Sequence, residues 1–288
     1  MAGTATQVTH GAAGEYFPSL SADGAKLSFL SRRANGERLF YRELDTGREK
    51  EVSTEGYRYT TPVFTHDGTK ILCVENASPK SSQNFIFEVP VSSGLSRKVW
   101  DKEPFSWLWD LAPDDSTLLL QAPYRSGVKE LDLKSGAITM FLDDPEVLNE
   151  AHFSHDGRWV VFTSAPRTEF NSDPALSRVF IAPFRKALVP RSEWIPVTGN
   201  NLDFYPHFSE NDKSIYFESH RDGFRCIWAQ RLMPGKQPDG KPHAIYHSHE
   251  RSRPVSWKLG VGPRAIVFDR MELGGNIWLM EPVKSDAH

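Results

Sequence analysis

Apolar and polar residues alternate along many short segments of the chain, with a period of two. Lys26–Ser31, Arg158–Thr163 and Ser214–Ser219 show the alternation clearly, and they are rich in β-branched and aromatic residues. This period places alternate side chains on opposite faces of an extended strand, so the segments predict β-strands. The sequence shows no sustained apolar stripe at the helical period. We therefore predict an all-β protein.

A short phrase precedes many of these strands: an apolar anchor, a small polar residue, a spacer, then Asp and usually Gly. The anchors lie at positions 20, 64, 111, 153, 208 and 257, so the phrase recurs every 42 to 55 residues. The copies are Leu20–Gly24, Phe64–Gly68, Leu111–Asp115, Phe153–Gly157, the degraded Phe208–Asp212, and a sixth that keeps only its anchor, Trp257. Periods of this size indicate a repeat architecture.

Further turn signals divide each repeat into four strands. In the first repeat, Asn35–Gly36 and Thr46–Gly47 follow the Asp–Gly turn. A four-stranded antiparallel meander is the blade of a β-propeller. We therefore predict one domain, residues 1–288, that forms a six-bladed β-propeller of four-stranded antiparallel blades. The last repeat ends after its third strand, near Met280, so we expect the N-terminal strand Thr6–Thr9 to complete the last blade and close the ring.

The phrase Pro-x-Phe-Ser-x-Asp-Gly, followed by an alternating strand, resembles the TolB-type six-bladed propeller repeat. Pro18–Gly24, Pro62–Gly68 and Pro206–Asp212 carry it best, and the resemblance extends over nearly the whole chain. It implies a propeller that interacts with proteins or senses a ligand. Members of the family occur in periplasmic translocation systems, as non-catalytic halves of peptidases and as C-terminal modules of bacterial regulators. Some carbohydrate lyases, which use histidines as metal ligands, are similar to it.

Composition narrows the possible partners. The chain has 34 basic and 37 acidic side chains, a net charge of −3 and no basic block, which argues against nucleic acid. No apolar run approaches the roughly 20 residues of a membrane span. The N-terminus lacks the features of a signal peptide, so we expect a soluble cytoplasmic protein, or a periplasmic one if the chain is part of a longer product. We expect a monomer without a cofactor, with Cys73 and Cys226 as buried thiols.

The chain contains no strong catalytic motif: no Gly-x-Ser-x-Gly, His-Glu-x-x-His, phosphate-binding loop or Cys-x-x-Cys. His247 and His249 would share one face of a strand and could bind a metal with a third ligand from a neighbouring blade. The alternative is an ordinary connector between blades five and six. His66 and His155 each precede an Asp–Gly turn, but other repeats place Ala, Pro or Glu there, which indicates a permissive turn position.

The residues that begin the inner strands are the main candidates for binding. Successive strands alternate in direction, so all inner strands start at one face, around the mouth of the central channel. Mixed charges and aromatic rings there suit a small polar ligand or a peptide of a partner. The alternative is packing between blades, with the charges solvated in the channel. The predicted binding residues are Glu15, Tyr16, Tyr59, Trp107, Glu150, His152, Asp203, Tyr205, His207, Arg251 and Arg253, with Phe170 from the long loop of the fourth repeat.

Three hypotheses about function follow. The leading one is a non-enzymatic recognition or scaffold propeller that binds a protein segment or a small ligand at this mouth, as a sensor module of a larger regulator. The second is a carbohydrate lyase or hydrolase with its site in the channel. There, His152 and His207 would need a carboxylate from Glu150 or Asp203 to hold a metal. The third is a structural spacer without a ligand.

Overall fold

A computed structural model describes residues 5–10, 14–34, 36–52, 59–76, 83–123, 127–168, 174–247, 249 and 255–270. In these residues the chain forms 22 strands in six antiparallel sheets, with short 3₁₀ turns at Pro174–Leu176 and Arg191–Glu193. The described residues contain no α-helix, and so no helix that is long and apolar enough to cross a bilayer. The prediction of an all-β protein is confirmed.

Each sheet is one blade, and its strands follow one another in chain order. Blade one contains β1 Glu15–Leu20, β2 Lys26–Arg33, β3 Gly36–Glu43 and β4 Glu49–Glu51. Blade two contains β5 Tyr59–Phe64, β6 Lys70–Asn76, β7 Asn84–Pro90 and β8 Arg97–Trp100. Blade three contains β9 Leu108–Leu111, β10 Thr117–Gln121, β11 Gly127–Asp132 and β12 Ile138–Asp143. Blade four contains β13 Val147–Phe153, β14 Trp159–Ala165, β15 Arg178–Pro183 and β16 Ile195–Pro196. Blade five contains β17 Asp203–Phe208, β18 Ser214–Ser219, β19 Cys226–Leu232 and β20 Pro238–Tyr246, and blade six contains β21 Val255–Val261 and β22 Ile266–Arg270.

The first strands of the blades form a closed inner ring. Strands β1, β5, β9, β13, β17 and β21 each contact the next, and β21 contacts β1. The molecule is therefore a β-propeller, with five four-stranded blades and a two-stranded sixth sheet among the described residues. Residues 6–9 carry no strand pairing, and their predicted partner strand, residues 276–280, lies outside the described residues. Closure of the last blade by the N-terminal strand stays a prediction.

Hydrophobic clusters fill the spaces between neighbouring blades. Between blades three and four, Trp109, Phe153, Phe162 and Trp194 are all buried, and the rings of Phe162 and Trp194 meet edge to face at 4.9 Å. Each fully buried large apolar side chain contributes about 1.5–3 kcal/mol. The core is thus divided among the seams between blades, and the inner strands surround the axis of the ring.

The small polar residue and the Asp of the repeated phrase form hydrogen bonds within the β1–β2 turn and within the equivalent turns of other blades. Ser21 Oγ donates to Asp23 Oδ1 at 2.6 Å and accepts the Lys26 N–H at 2.9 Å, and the Ala25 N–H donates to Asp23 Oδ1 at 3.0 Å. Gly24 has φ +68°, a conformation that glycine adopts without steric cost. The phrase is therefore a turn-building device.

In blades three and five an aspartate occupies the glycine position of this turn. Asp115 and Asp212 adopt φ 57° and 55°. The Asp115 carboxylate accepts the backbone N–H of His66 at 2.8 Å, and the Asp212 carboxylate accepts that of His155 at 2.9 Å. The two histidines belong to the preceding blades, so each aspartate joins two neighbouring turns.

The Asp212–His155 contact predicts a pH-dependent stability. His155 Nδ1 lies 3.4 Å from Asp212 Oδ1, and this hydrogen bond raises the pKa of His155. A raised folded-state pKa adds stability that is complete below the unfolded value of about 6.5 and is lost as the pH rises through the folded value. In urea titrations, His155→Gln should therefore destabilise the protein more at about pH 5.5 than at about pH 8.5.

His66→Gln is the matched control, since among the described contacts Asp115 binds only the backbone of His66. The same response to pH in both variants would contradict the role given to the His155 side chain.

The register of blade six corrects the position of the sixth repeat. Val261 pairs with Ile266, and Gly262 N–H donates to the Ala265 carbonyl, just as the anchor Phe208 pairs with Ile215 ahead of its own turn. The anchor of the sixth repeat is therefore Val261 and not Trp257. The sequence prediction missed it because the turn reads Gly-Pro-Arg-Ala and lacks the Asp of the other copies.

Candidate functional site

Four inner strands hold a strained residue at the same place, three positions before the anchor. Phe17, Thr61, Glu150 and Tyr205 have φ values of 56°, 35°, 58° and 49°, and each lies at a β-bulge. Such a conformation costs a non-glycine residue on the order of 1–3 kcal/mol, and strained residues cluster at functional sites. The inner strands are therefore a candidate functional site.

Hydrogen bonds between blades hold three of these strained residues, Thr61, Glu150 and Tyr205. Glu150 Oε2 accepts the backbone N–H of Tyr205 at 2.7 Å and the Thr163 hydroxyl at 3.0 Å. Thr61 Oγ1 donates to the Leu108 carbonyl of the next blade. Glu150, predicted as a binding residue, thus has a structural task, and it fixes the backbone of the next blade's wall.

Half-buried aromatic rings form a surface at one side of the mouth, which we call the aromatic rim: Tyr16, Phe17 and Trp107. Phe17 contacts Tyr16 edge to face at 5.2 Å and Trp107 at 6.0 Å. Trp107 in turn stacks on the buried Trp109 at 5.9 Å. The rings of Phe17 and Trp107 come from blades one and three, so they meet across the inner strand of blade two. Tyr16 also donates a hydrogen bond to Glu37 Oε1 at 2.5 Å, and burial raises its pKa.

Ionisable side chains of the inner strands converge in a group that we call the polar cluster: Asp110, His152, His207 and Lys258. The first three occupy the position before the anchor in blades three, four and five, and Lys258 comes from blade six. The imidazoles of His152 and His207 stack with centroids 3.7 Å apart, and His152 Nδ1 lies 3.6 Å from Asp110 Oδ2. His207 Nε2 is fully buried and has no hydrogen-bond partner among the described residues.

Burial shifts every member of the polar cluster towards its neutral form. It lowers the pKa of His152 and of His207 well below the usual range, so both imidazoles are neutral at neutral pH. It raises the pKa of Asp110. It lowers the pKa of Lys258 to about 8, although Asp110 and Asp269 attract the ammonium. Perturbed groups that meet in a cleft are candidates for a functional site.

Two further predicted residues lie at the start of blade five. Asp203 is fully buried, and its two carboxylate oxygens accept hydrogen bonds from Arg221 at 3.0 and 3.1 Å. Tyr205 lies with its ring 5.8 Å from the Arg225 guanidinium, and burial raises its pKa. Arg225 pairs at 2.5 Å with the fully buried Glu218, whose pKa burial raises to about 8. The carboxylate of Asp203 is thus paired with Arg221 inside blade five.

The remaining predicted residues are described only in part or not at all. Glu15 is half-buried at the start of β1. Tyr59 begins β5, and only its backbone is described. Phe170, Arg251 and Arg253 lie outside the described residues.

Sequence reasoning missed Phe17, Asp110 and Lys258. Asp110 shares its repeat position with His152 and His207, so an alignment on the anchors contained the signal. Lys258 was hidden because the sixth anchor was placed at Trp257, which shifts blade six by four residues.

Both cysteines are buried, as predicted. Cys73 lies in an apolar cluster between blades one and two. Cys226 instead adjoins Asp222, His247 and His249, and the four side chains bring possible metal-ligand atoms together. The prediction that His247 and His249 share one face of a strand is wrong, because both residues follow the end of β20 at Tyr246.

No family model and no curated protein matches the chain. Solved structures do. A putative TolB from Agrobacterium tumefaciens has a TM-score of 0.64 at 18% identity, with 83% of each chain covered. TolB from Acinetobacter baumannii has a TM-score of 0.63 at 15% identity, over 82% of this chain and 57% of that one. The chain shares the TolB-like propeller fold.

The TolB-like fold also occurs in an enzyme. Oligogalacturonate lyase in complex with manganese has a TM-score of 0.56 at 16% identity, over 86% of this chain and 69% of that one. Identities this low establish the fold alone, and one fold hosts many functions. The function of this TolB-like chain therefore depends on its own residues.

Proposed function

We propose that the protein is a recognition propeller that binds the carboxylate end of a polypeptide segment, or a small carboxylate ligand, at the channel mouth. The observation that carries the proposal is that the inner strands hold two groups of side chains: the aromatic rim where β1 and β9 begin, and the polar cluster further along the ring of inner strands. Binding sites typically combine apolar walls with a few convergent polar groups. Aromatic residues in such sites supply much of the binding energy.

The charges of the polar cluster favour an anion. Lys258, with a pKa of about 8, is mostly protonated at neutral pH. Burial raises the pKa of Asp110, the carboxylate of the cluster. The neutral imidazoles of His152 and His207 can donate hydrogen bonds to a carboxylate. The edge-to-face contact between Phe17 and Trp107 gives this side of the mouth an apolar wall, which suits the last side chains of a polypeptide.

The proposal predicts that binding depends on Trp107. A random peptide library with free C-termini would be selected on the immobilised protein, and the enriched peptide measured by calorimetry. Loss of a central aromatic contact typically costs 2 kcal/mol or more, so Trp107→Ala should weaken binding at least about 30-fold. Amidation of the peptide C-terminus should weaken it as well.

Trp159→Ala is the matched control, because Trp159 is also half-buried but begins β14, at the opposite end of the blade from the mouth. It should leave the affinity unchanged. A library without enrichment, or equal losses in the two variants, would count against the mouth as the binding site.

A second candidate is a carbohydrate lyase acting on acidic sugars, as the oligogalacturonate lyase neighbour does. The stacked neutral imidazoles favour it, since a neutral imidazole can accept a proton from a substrate. The cluster matches Mn²⁺ poorly, because two imidazoles and one carboxylate lie next to the Lys258 ammonium, which repels a cation.

Oligogalacturonate cleavage, followed by the absorbance of the unsaturated product, tests this candidate. Turnover that His207→Ala abolishes would replace the recognition proposal with the enzyme. Absence of turnover, with and without Mn²⁺, would leave recognition as the better explanation.

A further inference from the structure

Four side chains of blade five bring metal-ligand atoms together away from the channel. Asp222 lies in the turn between β18 and β19, Cys226 begins β19, and His247 and His249 follow the end of β20. One ligand atom from each lies within 4.8 Å of those of the other three. We call this group the blade-five tetrad. It combines one sulfur, two nitrogens and one oxygen donor, all types that Zn²⁺ accepts.

Three of the donor atoms already form a triangle of the right size. His247 Nδ1 lies 3.1 Å from Asp222 Oδ2 and 3.1 Å from His249 Nε2, and His249 Nε2 lies 3.5 Å from Asp222 Oδ2. Ligands at about 2.1 Å from a tetrahedral zinc are separated by about 3.4 Å. The triangle therefore matches one face of a zinc tetrahedron, and Cys226 Sγ, within 4.8 Å of the other three atoms, supplies a fourth donor.

Neighbouring rings hold both histidines in place. Phe224 stacks on His249 at 4.5 Å with an angle of 25° between the rings. Trp228 meets the His247 ring edge to face at 6.1 Å. Groups around the ligands that fix ring orientation add to metal affinity. The cysteine is fully buried at the base of the group, while the two histidines are exposed above it.

We propose that the blade-five tetrad is a structural Zn²⁺ site. Four protein ligands close the coordination shell, which is the pattern of structural rather than catalytic zinc. The bound ion would tie the β18–β19 turn to the segment that leaves blade five for blade six. Binding would release the Cys226 thiol proton to solvent, so affinity should rise with pH. In the metal-free alternative the two histidines and the thiol only pair with Asp222, and the zinc titration distinguishes the two arrangements.

Zinc titration of the full chain tests the proposal. The protein would be stripped with a chelating resin and titrated with Zn²⁺ in competition with a chromophoric chelator. We expect one equivalent per chain. Outer-sphere partners of zinc ligands are already worth about 10–100-fold in affinity, so His249→Ala should weaken binding more than about 100-fold. Because His249 is 55% exposed, this substitution does not threaten the fold.

Cobalt substitution tests the geometry. Co²⁺ in the tetrad should show the intense visible bands of a tetrahedral site and a thiolate-to-cobalt charge-transfer band, and Cys226→Ser should abolish the latter. His243→Ala, an exposed histidine of β20 outside the tetrad, should bind zinc as the unaltered protein does. The proposal is overturned if the unaltered protein binds no zinc or if His249→Ala retains full affinity. It is equally overturned if zinc binding is lost in His207→Ala but kept in His249→Ala, which would move the metal to the channel.

Discussion

Replacement of Arg221 by alanine is expected to lower the free energy of unfolding by about 3–5 kcal/mol. The guanidinium makes two hydrogen bonds to Asp203, a carboxylate that is fully buried at the start of β17. Without Arg221 the buried carboxylate loses both hydrogen bonds, and a buried charge without its partner opposes folding of blade five. Urea unfolding at neutral pH, followed by tryptophan fluorescence, measures the loss.

Arg231→Ala is the matched control in the same blade. Arg231 is 67% exposed and lies 3.8 Å from Asp239, which is half exposed, so its removal should change stability by less than about 1 kcal/mol. If the two variants were equally stable, Asp203 would not depend on Arg221. Its carboxylate would then again be a candidate for ligand binding, as the sequence suggested.

Replacement of Lys258 by methionine is expected to stabilise the protein by about 3 kcal/mol at mildly acidic pH. Burial lowers the pKa of Lys258 from its ordinary 10.5 to about 8, so the folded state holds this proton less tightly than the unfolded state. Below that pKa the charged ammonium of Lys258 therefore lowers the free energy of unfolding. Urea unfolding of both proteins at several pH values measures the gain.

The sign of the pH dependence follows from the same shift. Between about pH 8 and about pH 10.5 the unfolded chain binds more protons at Lys258, so the original protein gains stability as the pH rises. The advantage of Lys258→Met should then vanish above that range. The exposed Lys241→Met is the control and should change stability by no more than about 0.5 kcal/mol. A variant that is less stable at acidic pH would mean that the ammonium stabilises the channel.

A gain in stability from Lys258→Met, combined with loss of peptide binding, would identify this lysine as a functional residue. Proteins commonly retain destabilising groups where activity requires them. A stability gain with unchanged binding would instead remove Lys258 from the proposed site.

The fold was predictable because it depends on local chemistry that repeats. Each turn contains its own hydrogen-bonding side chains, such as Ser21 and Asp23, and each strand shows its own alternation. The sixth blade was harder, because its turn Gly262–Ala265 lacks the Asp and its anchor Val261 is not aromatic. The spacing of the repeats therefore predicts six blades but does not predict the strand register of the sixth blade.

The candidate site was predictable only in part, since it depends on which side chains meet across blades. The repeat position of His152 and His207 could be read from the sequence, and their stacking could not. The sequence also gave no sign that Glu150 would bond to the backbone of Tyr205, or that Asp203 would be neutralised by Arg221. Asp222 and Cys226 join His247 only through the pairing of β18, β19 and β20.

The bonds that brace the bulged residues have a consequence for how such a molecule can change. Glu150 of blade four fixes the wall of blade five, and Thr61 of blade two fixes that of blade three. The shape of the mouth therefore depends on which blades are neighbours. A blade placed next to a different neighbour would lose the side chain that holds its backbone. A circular permutation, which moves the chain termini to a surface turn, keeps every pair of neighbouring blades together. Rearrangements that duplicate or delete a blade separate such neighbours. The position of the chain termini in the ring can therefore change more easily than the number of blades.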